Sequence, residues 1–355
     1  MGAHSAQGVT EARAAGKLFL CGEYALLEGW PAVVMGLDAE MTLRLASGPP
    51  GAWRVWRRSE EAVAAWQWPR VAEVDGVTPD LCAALWRVLG PAWDDVVPPG
   101  FVGHCEDGAF VSADGEKIGI GSSAAAVALW VRALAAHTGL GQALDDERRS
   151  SWLLARAQAV HAVWRGGGGS GADVAAAWCG GLLGVTVDAT GSQVLRRLSR
   201  ASLPPWRALW SRRPADSRDY VAAWRSFAAA QPRRARGLVG CLGEGAAAIM
   251  ACLEGEGEAG EIVAALAALD VGLEALGRAM GRPVVTEQGL ALRAAARRAG
   301  LVSKSSGAGG GDVTLVAGCD LDALVHFQAH EAVALGYVPL PWQVGASLAP
   351  CTGGR

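Results

Sequence analysis

The chain has 355 residues, 51% of them hydrophobic and 19% charged, with a formal net charge of -3. That length suits two domains rather than one and is ample for a sizeable core. The balanced charge, with no basic tail or run of lysines, argues against a nucleic-acid partner. Apolar stretches such as Ala124–Val131 are cut short by charges like Arg132, well below the roughly 20 residues that span a bilayer. The N-terminus shows no basic start followed by an apolar run. The eight cysteines are scattered without a Cys-x-x-Cys pair, so they read as reduced thiols in a cytoplasmic protein without a membrane partner.

In chain order, Lys17–Cys21 reads as a short buried strand and Met41–Ala46 alternates like a second. Thr78–Leu89 has helical spacing, with Leu81, Leu85 and Leu89 on one face. Gly100–Val111 predicts two strands around Asp107-Gly108. Ser122–His137 is the clearest helix, opening on two serines after a glycine loop. Asp145–Trp164 is another, with acidic residues at its positive end, and Gly180–Val187 returns to strand. Beyond residue 190 the texture turns helical, over Ala215–Ala230, Leu238–Leu253, Glu258–Met280 and Thr286–Gly300. A strand at Val313–Ala317, a helix at Leu321–Leu335 and a strand near Tyr337–Val344 complete the chain. The pattern predicts an α+β protein of two domains, 1–190 and 191–355, with a cleft built from glycine loops of both.

Three glycine-rich elements stand out: Gly16-Lys17 through Gly29, Lys117–Ala126 (KIGIGSSAAA) and Lys304–Asp312 (KSSGAGGGD). A fourth segment, Gly168–Ala177, places Asp173 just after the turn Gly169-Ser170-Gly171. In the second element Gly119 and Gly121 permit backbone conformations that other residues avoid. Ser122 and Ser123 then open a helix whose free N–H groups suit an anion. The P-loop pattern is absent. A dinucleotide-binding pattern does occur over Gly119–Ala124, but Gly115-Glu116-Lys117 separates it from any apolar strand, against the setting that pattern needs. His326 and His330 are four apart but lack a third ligand in a fitting pattern, and read as a surface pair.

The lysines single out the same loops. Arginine outnumbers lysine 29 to 3 and asparagine is absent, the mark of a GC-rich genome, yet Lys17, Lys117 and Lys304 all fall in or beside the three elements. An ammonium is a compact point charge that approaches a phosphate differently from the planar guanidinium fork. All three positions are therefore expected to need it.

With these motifs in order, the chain resembles the GHMP kinases, and among them it is most similar to the phosphomevalonate kinases. The similarity lies in Gly22-Glu23-Tyr24, in the lysine ahead of the second loop, in Gly169–Ala175 and in Lys304–Asp312. Trp210–Tyr220 is similar to a segment that follows the central strand in that family. The resemblance implies an N-terminal ATP-binding domain like domain 2 of ribosomal protein S5 and a ferredoxin-like C-terminal domain. It implies Lys17 and Asp173 as the catalytic pair. ATP would be held by Lys117, Gly119, Ile120, Gly121, Ser122, Ser123 and Ala124, with Ser122 or Ser123 near Mg2+. The acceptor would meet Ser170, Gly171, Lys304, Ser306, Gly307, Ala308 and Gly309, with Glu23 and Tyr24 shaping its pocket or serving the fold. The implied reaction converts 5-phosphomevalonate to 5-diphosphomevalonate with ATP and Mg2+, in a monomer or homodimer acting on a small anionic substrate.

Departures leave the acceptor open. Mevalonate kinases carry a glutamate eleven residues before the catalytic aspartate, and here Ala162 stands there beside His161. This disfavours mevalonate as acceptor and leaves the metal without an assigned carboxylate. The third motif ends GGGD-Val313-Thr314, where phosphomevalonate kinases more often have cysteine and glycine. A mevalonate, sugar or homoserine kinase is the alternative within the class, and a catalytically silent nucleotide sensor the alternative outside it. Arg212, Arg213 and Arg218 read equally as an anion-binding cluster or a solvated face.

Overall fold

The computed structural model describes residues 9–49, 52–57, 62–67, 79–93, 100–167, 169–255 and 257–349. Thr78, where the first predicted helix begins, and Gly168 of the glycine run lie outside the described residues. Seven strands form the first sheet: β1 (Thr10–Cys21), β2 (Ala32–Gly48), β3 (Ala52–Arg57), β4 (Ala62–Gln67), β5 (Gly100–Glu106), β6 (Gly181–Val187) and β7 (Gln193–Arg197). β2 is the spine. β1 runs along it, while β6 pairs with its first half and β5 with its second. β3 lies parallel to β5, and the other pairings are antiparallel.

β1 is far longer than the expected Lys17–Cys21. Its first half alternates, with Ala12 and Ala14 buried and Glu11 and Arg13 exposed, and the charged members pair across the surface with Arg44 and Glu40. Four helices belong to this half: α1 (Pro79–Leu89), α2 (Ser122–Thr138), α3 (Asp146–Arg165) and α4 (Ala172–Cys179). α2 and α4 lie on β1 and β2, and α3 lies over them. Many of their alanines, among them Ala124, Ala125, Ala128, Ala175 and Ala176, are fully buried. Small side chains let helix and sheet backbones approach closely at the level of the glycine loops.

The second sheet is antiparallel, in the order β11 (Val338–Leu340), β8 (Trp206–Trp210), β10 (Val313–Ala317), β9 (Val302–Ser305). Side chains alternate across it. Ala208, Trp210, Leu315 and Ala317 join the main core, while Leu209 and Val316 pack with Leu292, Leu324 and Phe327 in a second cluster. The helices here are α5 (Ser217–Ala230), α6 (Pro232–Glu254), α7 (Ala259–Met280), α8 (Glu287–Arg298), α9 (Leu321–Ala329) and α10 (Glu331–Ala334). By length and composition alone α6 is apolar enough to cross a membrane. In the fold its Val239, Leu242, Ala246, Ile249 and Leu253 form one buried stripe at helical spacing. The chain then returns to the first sheet, bridging Leu37 to Val344 and Gly180 to Ser347.

Two expectations are corrected. Gly100–Val111 is not a strand pair: after β5 a short 3-10 turn, Gly108–Phe110, takes Phe110 into the core, leaving a single bridge between Val111 and Lys117. The helix expected over Leu321–Leu335 breaks at His330, whose φ is -120° and ψ -70°. β7, β8 and β9 are short strands that the sequence pattern did not mark.

Candidate active site

The second glycine element builds an anion cradle. Gly119 and Gly121 take φ of +88° and +83°, and α2 starts on Gly121 with no side chain capping it. The N–H groups of its first turn are thus left open toward the loop, where the helix dipole favours a negative group. Ser122 and Ser123 occupy that turn. Ile120 and Ala124 are buried and hold the loop from beneath, while Lys117 is exposed at its rim.

Lys17 reaches this cradle because β1 is irregular there. The β1–β2 register shifts between Ala15 and Lys17, and such a bulge re-aims the following side chain. The Lys17 N–H donates to the Ile120 carbonyl at 2.8 Å, and the lysine stem lies where a Cβ on Gly121 would be. Its ammonium lies 5.2 Å from the centre of the Phe19 ring and beside Gly307 of the third element. Among the described residues no carboxylate comes within ion-pair distance of it.

Two residues of the third element are engaged within the protein itself. Lys304 is 1% exposed; its ammonium pairs with the Glu23 carboxylate, itself 5% exposed, and donates to the Ser305 carbonyl at 2.8 Å. It therefore has no free charge for an acceptor phosphate. The Ser306 hydroxyl accepts from the Phe19 N–H at 2.9 Å and donates to the Phe19 carbonyl at 3.0 Å, which stitches the loop to β1. Lys304 and Ser306 thus anchor the third element to β1 and to the first motif. Glu23 also accepts from the Gly307 N–H at 3.3 Å, and the Tyr24 hydroxyl donates to the Ala308 carbonyl at 2.6 Å. The first motif thereby fixes the third. Gly309 has a φ of +85°, and a Cβ there would lie 2.5 Å from the Val284 carbonyl oxygen.

Asp173 sits in the first turn of α4, where its Oδ1 accepts from the Val174 N–H at 2.9 Å. The turn before it is clamped by two glutamines that the sequence pattern did not single out. Gln158 donates to the Gln193 side-chain oxygen at 2.6 Å and to the Gly171 carbonyl at 3.3 Å. Gln193 in turn donates to the Ser170 carbonyl. His161 is a further unanticipated member. Its Nε2 lies 3.2 Å from the Ser123 hydroxyl and 3.9 Å from Asp173 Oδ2, so it joins the start of α2 to the aspartate. Lys17, Ser170, Asp173, Gly307, Ala308 and Val221 line one cavity of about 120 Å³. Asp312, just past the third loop, lies with its carboxylate against Gly119. Burial pushes that carboxyl up to about 6, against the pull of the Ala215 N–H and of Lys17.

No family model matches the sequence, and comparison with curated proteins finds no match. Solved structures match over nearly the whole chain. A Listeria innocua protein aligns with a TM-score of 0.79 at 21% identity, covering 96% of this chain and 99% of its own. A Streptococcus pneumoniae phosphomevalonate kinase in complex with phosphomevalonate and AMPPNP aligns at 0.75 and 21%, covering 94% and 99%. A Lactococcus lactis galactokinase complexed with galactose aligns at 0.68 and 15%, covering 98% and 96%. This chain has the GHMP kinase fold. On that fold the three glycine elements, far apart in sequence, meet at Lys17.

Among the described residues of this GHMP fold, no three His, Cys, Asp or Glu side chains gather into a metal site. His326 and His330 stack at 4.3 Å on the surface, away from the cleft loops. With Glu23 committed to Lys304, Asp173 is the other carboxylate lining the cavity beside Lys17. One carboxylate and two serine hydroxyls suit a magnesium ion that arrives on nucleotide phosphates and keeps several waters. Of the arginine cluster, Arg212 is an exposed residue with φ +57°, and the Arg213 carbonyl accepts from the Asp312 N–H at 2.7 Å. Arg218 grips Asp216 through both carboxylate oxygens.

Burial holds the His161 imidazole below its ordinary value of 6.5, with Arg165 and Lys17 acting in the same direction against Asp173. The unfolded chain thus takes up a proton near pH 6.5 that the folded chain refuses. This contribution to stability is complete above that pH and declines as pH falls below it. His161→Gln is expected to flatten the decline in unfolding midpoint measured between about pH 7 and 5. An unchanged slope would show that His161 titrates as it does in the unfolded chain.

Proposed function

We propose that the chain is an ATP-dependent phosphotransferase that phosphorylates 5-phosphomevalonate, releasing ADP and 5-diphosphomevalonate. The observation that carries this reading is the placement of Lys17. An ammonium without an ion-pair partner among the described residues lies between an uncapped helix start, the third glycine loop and Asp173. Phosphoryl transfer asks for positioning and charge neutralisation more than for covalent help.

In this reading ATP lies with its phosphates on Gly119–Ala124. An oxygen of the acceptor phosphate attacks the γ-phosphorus, a new P–O bond forms, and the bond to the bridging oxygen of ADP breaks. The acceptor phosphate, with a second pKa of about 6, is already largely ionised near neutrality, so no base is required. Lys17 holds the two anionic groups together. Asp173 orients the acceptor, fixed in place by Val174 N–H and by the Gln158–Gln193 clamp on its turn. Magnesium bound to the phosphates would neutralise charge building on the leaving group, with Ser122 and Asp173 as the side chains near it and Ser123 held by His161. With an alcohol acceptor the same Asp173 would serve as the base. What favours the phosphate acceptor is the likeness of Gly22–Tyr24 and Lys304–Asp312 to the motifs of the phosphomevalonate kinases.

The test is ADP release by the purified protein with ATP and Mg2+ across 5-phosphomevalonate, mevalonate, galactose and homoserine. Turnover with phosphomevalonate alone is expected. Turnover with another member would replace the acceptor, and silence with all four while ATP still binds would favour a nucleotide sensor.

A further inference from the structure

The third glycine loop ends on Asp312, one of two non-glycine residues with positive φ among the described residues, at +51°. A strained backbone position persists only where its surroundings enforce it. Three hydrogen bonds do so here, all to the connector between β8 and α5. The Asp312 N–H donates to the Arg213 carbonyl at 2.7 Å, and the Asp312 carbonyl accepts from the Ser211 N–H at 2.9 Å. The side-chain Oδ1 accepts from the Ala215 N–H at 3.2 Å. The carboxylate so fixed is pressed against the second loop. A Cβ on Gly119 would fall 2.4 Å from Asp312 Cγ and 2.6 Å from Oδ1, so Gly119 leaves the space that this carboxylate fills.

A negative charge thus packs on a loop that leads into the uncapped start of α2, where the N–H groups and the helix dipole favour an anion. The carboxylate works against them. The charges around it are mixed. Lys17 on β1 favours the ionised form, and Asp216, ahead of α5, opposes it. Asp216 is itself paired with Arg165 and Arg218, Arg213 offers its backbone carbonyl, and Lys117 is exposed at the loop rim. Burial is the largest influence and pushes the Asp312 carboxyl up to about 6, so both of its charge states are populated close to neutrality.

We infer that Asp312 is a positioning residue for the nucleotide: its side chain props the second loop at Gly119, and the charge on that side chain sets how tightly the loop holds phosphate. The inference rests on the nucleotide reading of Gly119–Ala124. A bound polyphosphate disfavours the ionised carboxyl and raises its pKa further. Affinity is then greatest where Asp312 is protonated, below about pH 6. It falls as pH rises through the value of the free protein and levels off above the value of the complex. A tenfold loss corresponds to about one pH unit between the two.

The test measures the Kd for AMPPNP with Mg2+ by calorimetry from about pH 5 to 8, in the wild type, Asp312→Asn and Asp312→Gly. Asparagine and glycine both accept a positive φ, and the asparagine oxygen can still accept from the Ala215 N–H. Melting curves verify that each variant is folded. The ratio of the wild-type Kd to that of Asp312→Asn is expected to rise from about one at pH 5 to about ten at pH 8. Titration of the nucleotide itself cancels in that ratio. Asp312→Gly, which lacks the prop as well as the charge, should bind about tenfold more weakly than Asp312→Asn throughout. A ratio that stays flat with pH, or equal binding by the two variants, overturns the inference and leaves the nucleotide reading standing. Failure of the wild type to bind AMPPNP at any pH overturns the nucleotide reading itself, and this inference with it.

Discussion

Lys17→Met is expected to lower kcat about 10²–10³-fold, the usual scale for deleting one charge-stabilising group at a transition state, with the thermal midpoint shifted by no more than about 2 °C. The two halves of that expectation come from the same geometry. The methionine keeps the stem that crosses Gly121 and the backbone bond to Ile120, so packing survives. No described carboxylate is paired with the ammonium, so its loss leaves no buried charge behind. On the proposed reading, what disappears is the cation between two phosphates. Asp173→Ala should cost a similar factor, and Asp173→Asn separates its roles. An amide oxygen can still accept from a hydroxyl of the acceptor, so the loss with phosphomevalonate should be smaller for asparagine than for alanine, whereas a base would lose equally in both. Measured kcat and KM with melting curves decide the matter. Wild-type turnover in Lys17→Met would remove Lys17 from the transfer centre.

The parts of this site legible in the sequence are those where backbone and charge chemistry act locally. Glycines at positive φ before a helix, as at Gly119 and Gly121, announce themselves by spacing, and α2 follows from the alanine run behind them. Lysines surviving in an arginine-rich chain marked the three loops. The same signal could not say where each ammonium points. Lys17 faces the cleft, Lys117 its rim and Lys304 the core, and that difference is set by strand register and by Glu23, 281 residues away in sequence. His161 and the glutamines 158 and 193 escaped notice because their partners are remote: each is an ordinary polar residue on a helix or strand until the tertiary fold brings Ser123, Asp173 or Ser170 beside it. Arg218 drew attention in the sequence, but its sharing of Asp216 with Arg165 depends on how α3 and α5 face one another. The short strands β7, β8 and β9 carry too few residues for alternation to register.

Lys304→Met is expected to act on the fold, and this separates it from Lys17→Met. The Lys304 ammonium and the Glu23 carboxylate are 1% and 5% exposed. Breaking a buried ion pair by removing one partner typically costs about 3–5 kcal/mol, because the other charge stays buried without compensation. In the variant Glu23 would keep only the Gly307 N–H at 3.3 Å. The neighbourhood makes matters worse. Asp270, 2% exposed and pushed upward by burial, is held down chiefly by Arg293 and also by the Lys304 charge, and its Oδ1 accepts from the Ser305 N–H at 3.1 Å. One ammonium therefore steadies two buried carboxylates and the strand β9 that delivers the third glycine loop. Denaturant unfolding should show the loss, and adding Glu23→Leu should recover most of it, since removing both charges also removes the stranded one. The competing outcome is equally clear. If Lys304 met the acceptor, Lys304→Met would unfold at the wild-type midpoint and raise the acceptor KM, and adding Glu23→Leu would rescue nothing.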